Sequence, residues 1–327
     1  MTSKPLVSVL MPVYNAQDYV AQSIRSVWDQ SHRPIELIVV NDGSTDGSNA
    51  IVAELVKQAP IPMQFWRQEN AGPAAALHNA LQRATGEWVG WLAADDLYAP
   101  NFMARNLEVA GSLPQDELIL HSSAFLIEAD DRKIGTIDEI SKEPPFRGRC
   151  FDFIVDGHGR MLPSTMFIRR DLLLKVGGFD PEMEVEDTDL FLRLARAGEF
   201  HYIDEQIFCS RWTPGSFGKK PWKWGNSTIK ALSKHADILG SRLPVLLTKA
   251  SSNICQNCFE YGEWGHGLRW GAKAVHFAPG IGAKARVTGQ LGYRVARAGV
   301  RNLAYRLLGR DRLVRIKRVV SPSAQNG

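Results

Sequence analysis

Cysteine is scarce. The 327 residues contain four, Cys150, Cys209, Cys255 and Cys258, too few to staple a chain of this length, so a disulfide scaffold is excluded. The "CQNC" at 255–258 has the spacing of half a zinc site or a redox pair, but no second CxxC and no HxxxH completes it. Two small buried or half-buried helix residues are the plainer reading. No run of about 18 apolar residues occurs, so no transmembrane helix is expected. The opening "MTSKPLVSVLMPVYN" lacks the small-residue cleavage pattern of a signal peptide, and the expected compartment is the cytosol. A Walker loop, GxGxxG, GxSxG and any His-rich metal pattern are also missing, which removes the commonest kinases, dehydrogenases and serine hydrolases.

What is present is ordinary globular material, 44% hydrophobic and 23% charged with 28 Gly and 17 Pro, enough for one large domain or two modest ones. The net charge of +4 hides an asymmetry. Between Lys284 and Arg318 there are eleven Lys or Arg and one acid, Asp311, so that stretch carries +10 and the rest of the chain −6.

From residue 6 to about 95, apolar β-branched runs ("LVSVLMPV", "ELIVVND", "MQFWRQ", "EWVGWLA") alternate with helix-like stretches of roughly a dozen residues. That alternation predicts βαβ units and a mostly parallel sheet covered on both faces. Ligands of such sheets bind beyond the carboxyl ends of the strands, which singles out Tyr14 and Asn15, Asn41 and Asp42, and Asp95 and Asp96. Residues 117–140 read as two further strands, "LILHSSAFLIEA" and "RKIGTIDEI", about a turn at Asp130 and Asp131. A strand and short helix ended by Gly177 and Gly178 follow, then a helix from about Asp187 to Ala197 closed by Gly198. Residues 217–227 mark a boundary, dividing the chain into 1–216 and a helical 217–327.

Three constellations carry chemistry. In "GWLAADDLYAP" two adjacent carboxylates end a buried run, and an unpaired buried carboxylate is costly. On extended backbone Asp95 and Asp96 would point apart, so one would hold a divalent cation such as Mg2+ or Mn2+ and the other a sugar hydroxyl, without the sequence saying which. A lone DD is also what a solvated turn looks like. "VVNDGSTDGS" offers a tight turn at Asn41-Asp42-Gly43, then Ser44, Thr45 and Asp46 to cap the next helix; beside the Asp95 strand end, Asp42 becomes a candidate contact for a base or ribose. In "EVEDTDLFLRLARAG", Glu184, Glu186, Asp187 and Asp189 crowd the first turn of a helix with Leu190, Leu194 and Ala197 on its apolar face. Acids there suit the macrodipole, and one of them could equally serve as a general base.

Taken together, "VSVLMPVYNAQDYVAQSIRSVWDQS", "ELIVVNDGSTDGS", "NAGPAAALHNAL", "GEWVGWLAADDLYAP", "STMFIRRDLLLKVGGFD" and "EDTDLFLRLARAG" resemble, in order and spacing, the family-2 inverting glycosyltransferases of GT-A fold, over residues 6 to 215. The resemblance implies that Pro12, Val13 and Tyr14 line a nucleotide pocket, that Asp42 contacts the nucleobase, and that Asn70, Ala71 and Gly72 close over the nucleotide. It also implies Asp95 on the ribose, Asp96 on the metal, and Glu186–Asp187 as the catalytic pair with Asp187 the base. Many relatives carry Arg-x-His after the late strand; here "SRWTPGS" keeps Arg211 but has Trp212 and Thr213 in place of that His, which leaves the third metal ligand unassigned. The membrane helices and QxxRW signature of processive synthases are missing, so transfer of one sugar or a few is expected.

The resemblance implies a nucleotide-sugar donor, most often a UDP-sugar, and a glycan or lipid-linked acceptor. A nucleotidyltransferase would use a similar acidic sheet edge, but its Gly-rich basic loop is missing from "PVYNAQDY"; a silent nucleotide-sugar binding protein would have no use for Asp96 and Asp187. Residues 284–320 mix Arg294, Arg297, Arg301 and Arg312 with Leu291, Val295, Leu303 and Leu307. That pattern predicts basic amphipathic helices suited to an anionic membrane surface, at the inner face of the plasma membrane, rather than to nucleic acid, for which no stacking platform is present.

Overall fold

The computed structural model describes residues 4–113, 118–212 and 221–308, except for the side chains of Lys223, Arg294 and 297–308. The chain forms two compact units, Met1–Ser216 and Phe217–Gly327. Among the described residues no helix is long and apolar enough to cross a membrane.

The first unit is built on one curled, mixed sheet. Strands β1 (Val7–Val13), β2 (Ile35–Asp42), β3 (Met63–Gln68) and β4 (Trp88–Trp91) pair in parallel in the order β3-β2-β1-β4. The order continues through β8 (Phe167–Arg169), β6 (Leu118–Ile127), β9 (Glu199–Arg211) and β5 (Leu97–Tyr98), with β7 (Lys133–Thr136) beside β6. Strand β8 runs antiparallel to β4 and β6, and β6 runs parallel to β9. The carboxyl ends of β1, β2, β4, β6 and β9 therefore share one edge of the sheet.

Alternation along β1 and β2 divides the core between the two faces. Val7, Val9, Met11 and Val13 join Ile35, Leu37 and Val39 on one face, beneath the helix Val20–Trp28; Leu10, Ile38 and Val40 join Ala76, Ala80, Leu190 and Leu194 on the other. Both faces are covered, which is why these strands read as unbroken apolar runs.

Two sequence expectations change. "RKIGTIDEI" is a strand only to Thr136; Ile137–Ile140 is a helical turn, because Thr136 and Glu139 form a reciprocal capping box. Strand β4 stops at Trp91, four residues short of Asp95, and the short β5 follows within the "DLYAP" stretch.

The second unit is helical in its described residues: Pro221–Lys234, Ala236–Leu239, Leu243–Glu260, Trp264–Phe277 and Gly280–Leu308. Cys255 and Cys258 pack with Ile254, Phe259 and Trp270 in its core, and burial pushes the Cys258 thiol up to about 11. All four cysteines are free, and among the described residues no group of three His, Cys, Asp or Glu could hold a metal.

Candidate active site

The residues closing β1 and β2 hold each other. Ser44 Oγ accepts from Asn15 N–H at 3.0 Å, Ser48 Oγ from Ala16 N–H at 2.8 Å, Asp46 Oδ2 from Gln17 N–H at 3.1 Å, and Asn15 Oδ1 from Thr45 N–H at 2.8 Å. Only Asp46 caps the helix Ser48–Gln58, through Ser48 N–H at 3.0 Å; the helix N-cap residue, Gly47, has no side chain to contribute. The polar run expected to cap one helix instead laces two loops together. Of the first strand's trio, Tyr14 is 53% exposed, whereas Val13 is 1% exposed and points into the core with Val7, Val9 and Met11, so its side chain does not line a pocket.

Asp42 ends β2 with its carboxylate buried and turned onto the 70–72 loop. Oδ1 accepts from Ala71 N–H and Gln68 Nε2, both at 2.8 Å, and Oδ2 accepts from Gly72 N–H at 2.9 Å. Asn70 Nδ2 adds a bond to the Asp42 carbonyl at 3.1 Å. A carboxylate offers about four lone-pair sites, so two are committed to the loop, one to Gln68 at the end of β3, and Oδ2 retains one. Gly43 and Gly72 are both required here. Gly43 sits at φ +71° with Asn70 N only 2.8 Å from where a Cβ would lie, and Gly72 takes φ +94° just before the helix Pro73–Leu81.

Asp95 and Asp96 lie on a turn, not on extended backbone: Asp96 N–H donates to the Ala93 carbonyl at 3.1 Å. The geometric argument that strand alternation separates the two carboxylates therefore does not apply. Asp96 is 7% exposed, and its Oδ1 accepts from the Arg211 backbone N–H at 2.8 Å. Burial pushes both carboxyls up, Asp96 well up, with the Asp95 charge adding to it.

Arg211, at the end of β9, locks this turn. Its side chain is 1% exposed; Nε donates to the Asp95 carbonyl at 2.8 Å, Nη1 to the Glu128 carbonyl at 2.9 Å, and Nη2 to Gln22 Oε1 at 2.9 Å, while Asp131 Oδ1 pairs with Nη1 at 2.6 Å. One guanidinium thus joins the acidic turn, the β6–β7 hairpin and the helix Val20–Trp28. The sequence marked Arg211 only as the retained half of Arg-x-His; its partners lie 80 or more residues away, beyond any local signal. Thr213 lies outside the described residues.

The remaining acids sort themselves. Asp189 pairs with Arg193 at 2.7 Å, and Glu184 is exposed. Glu186 and Asp187 are half-buried, and among the described residues neither has a Lys or Arg partner. Asp187 accepts from Thr188 Oγ1 at 3.0 Å and begins the helix Asp187–Ala197. Burial pushes Glu186 up to about 7, the Asp187 charge contributing, and raises Asp187 as well. The loop leading to the pair is anchored at Phe179, whose ring meets Trp91 edge-on at 5.1 Å and whose carbonyl bonds His78 Nδ1 at 2.9 Å. Trp91 is the last residue of β4, so this anchor stands at the strand end that leads into the Asp95–Asp96 turn.

A curled mixed sheet with an acidic turn beyond its central strand, flanked by helices, defines the GT-A class of α/β proteins. The structural likeness agrees: Staphylococcus aureus TarS 1-349 in complex with UDP-GlcNAc superposes with a TM-score of 0.62 at 18% identity, over 89% of this chain and 88% of that one. The mannosyltransferase PcManGT from Pyrobaculum calidifontis, in complex with GDP-Man and Mn2+, gives 0.54 at 18% identity, over 92% and 88%.

Residues 8–176 match the family model of Glycosyl transferase family 2, and the chain belongs to that family. An uncharacterised glycosyltransferase of Rickettsia typhi is 29% identical over 64% of this chain and 65% of its own length, and one from Nostoc is 32% identical over 54% of each. The chain spans less than two thirds of the length of these relatives.

Proposed function

We propose that this chain is an inverting glycosyltransferase. It moves a sugar from a nucleotide-diphosphate donor, a UDP-sugar, to a hydroxyl of a lipid-linked or polysaccharide acceptor, with Asp187 as the base. The observation that carries the reading is the anchor that joins two acidic pairs: Phe179, on the loop to Glu186–Asp187, packs on the residue that ends β4 before Asp95–Asp96. The donors bound by TarS and PcManGT support a nucleotide-sugar ligand.

The donor half rests on two kinds of group. Asp42 fixes the Asn70–Gly72 lip, and its free Oδ2 site is suited to a base N–H; Tyr14, exposed at the end of β1 beside Pro12, is suited to stack on the base. Asp95 would take the ribose hydroxyls. A divalent cation fits the turn chemically: the donors are hard carboxylate oxygens, raised in pKa by burial and by each other, and Mg2+ or Mn2+ is commonly held by one or two carboxylates plus substrate phosphates. Asp96 would hold it, the diphosphate supplying what no third His, Cys, Asp or Glu among the described residues does. Bound there, it would neutralise charge growing on the departing diphosphate.

Transfer is then one displacement. The acceptor oxygen forms its bond to the anomeric carbon opposite the bond to the diphosphate, which breaks with its electron pair, and the acceptor proton passes to Asp187. Burial raises both carboxyls, Glu186 to about 7 with the Asp187 charge adding to it, so the pair holds its protons to higher pH than free carboxylates do.

Calorimetry with UDP-, dTDP- and GDP-sugars, with and without Mn2+, on wild type and Asp96→Ala tests the donor half. Metal-dependent binding of one nucleotide class, lost in Asp96→Ala, is expected; no binding to any overturns it. Asp187→Asn should bind donor normally yet release nucleoside diphosphate about 10²- to 10⁴-fold more slowly. Release of pyrophosphate instead would mark a nucleotidyltransferase.

A further inference from the structure

We propose that the helical unit binds an anionic lipid bilayer through the outer face of the helix Gly280–Leu308, at Ile281, Lys284, Arg286 and Tyr293. The inference deepens the transfer reading by supplying the surface at which an acceptor with a lipid tail is met, and it rests on that reading only for this purpose.

Charge separates along the chain at the boundary between units. Phe217–Gly327 contains twenty Lys or Arg against four acids, a net +16, which leaves Met1–Ser216 at −12. The helix Gly280–Leu308 has six Lys or Arg and no acid in its 29 residues. Its inward stripe is Ala283, Val287, Leu291 and Val295, spaced by four; Val287 packs with Ala274 and Ala278, and Leu291 and Val295 with the cluster of Ile254, Cys255 and Trp270.

The rest of the described helix surface faces water and is not uniformly polar. Ile281 is 89% exposed and Tyr293 68%, with Lys284 and Arg286 exposed between them; neither cation has a carboxylate partner among the described residues. A soluble polyanion would be matched by the cations alone and gives no account of a bare isoleucine and tyrosine. A bilayer surface accounts for both: headgroup phosphates take the cations, and the aliphatic and aromatic side chains enter the interface, where tyrosine is at home.

The test uses the full-length chain and unilamellar vesicles, one set of neutral phosphatidylcholine and one with about 30% phosphatidylglycerol, read by co-sedimentation. Binding only to the anionic vesicles, largely released between about 50 and 500 mM salt, is expected. Lys284→Ala with Arg286→Ala should lower partitioning about 30-fold, each cation near an anionic surface being worth about fivefold. Ile281→Ser with Tyr293→Ser should lower it about tenfold or more at unchanged charge. All four positions are exposed, so near-UV dichroism and donor binding should match wild type, and donor binding reports separately on the transferase reading. Wild type that stays in the supernatant with anionic vesicles overturns the proposal. So does equal partitioning of the Ile281/Tyr293 variant, which would mark a general polyanion site, or equal binding to neutral vesicles.

Discussion

Replacing Arg211 by methionine should unsettle the acidic turn and the first unit together. The substitution keeps an unbranched apolar stem in a site where the side chain is 1% exposed, so packing is roughly retained and the polar loss is isolated. The Asp131 partner is 51% exposed, which limits that ion pair to at most about 1 kcal/mol. The larger cost lies in the backbone bonds: the Asp95 carbonyl is left without its donor at 2.8 Å, at about 1–3 kcal/mol, while the Glu128 carbonyl keeps the Asp131 N–H at 3.1 Å and loses one bond worth about 0.5–1.5 kcal/mol. Together these give about 2–5 kcal/mol, and with about 2–4 °C of melting temperature per kcal/mol in a unit of this size, a fall of about 10 °C. Calorimetric melting of the full chain reads this as a shift in the first unit's transition, with that of the helical unit fixed. Arg211 also draws down the carboxyls of Asp95 and Asp96, so Mn2+ and donor affinity should weaken further in the variant as pH falls towards 6. Arg211→Lys should recover less than half the lost stability, because an ammonium cannot fork to three segments. An Arg211→Met protein that melts within about 1 kcal/mol of wild type would refute the argument that this guanidinium holds the turn.

Asp42→Asn presents an amide where three donors converge, and should cost about 2 kcal/mol of stability and at least about tenfold in donor affinity, by urea titration and calorimetry; unchanged affinity would mean that the 70–72 lip does not shape the donor site. Gly43→Ala puts a Cβ 2.8 Å from Asn70 N at a φ of +71°; about 1–3 kcal/mol of strain should appear as a lowered urea midpoint together with faster proteolysis at residues 69–72. Glu186, raised to about 7, keeps a proton in the fold that the unfolded chain releases above about 4.5. Its contribution to stability is therefore full at low pH and declines as pH rises from about 4.5 to 7, by up to about 3 kcal/mol. Glu186→Gln should flatten that part of the stability profile, and a profile unaltered by the substitution would count against burial as the cause.

Much of this was legible in the chain because parallel strands covered on both faces must be continuously apolar, and "LVSVLMPV" and "ELIVVND" are. The end of such a strand was less legible. "EWVGWLAADD" is apolar past Trp91 because Leu92 and Ala94 remain buried after the ladder stops, and burial, not hydrogen bonding, is what hydrophobicity reports. "STD" reads as a helix cap because local chemistry permits it, whereas in the fold Ser44 accepts from Asn15, about 30 positions away, and Asp46 divides itself between Gln17 and Ser48. Arg211 shows the same limit more sharply, since only closure of the sheet brings it to Gln22, 189 residues distant in sequence.

Asp42 grips the lip of the cleft by the N–H groups of Ala71 and Gly72, a handle that every residue except proline possesses. The lip is therefore held in place without regard to most of the side chains it displays. Position 71, exposed, can be exchanged freely as far as the anchor is concerned, while Asn70 adds a side-chain bond to the Asp42 carbonyl and Gly72 is fixed by its left-handed backbone. In a laboratory library or a lineage, this is where the displayed surface of the loop can be rewritten with little penalty to folding.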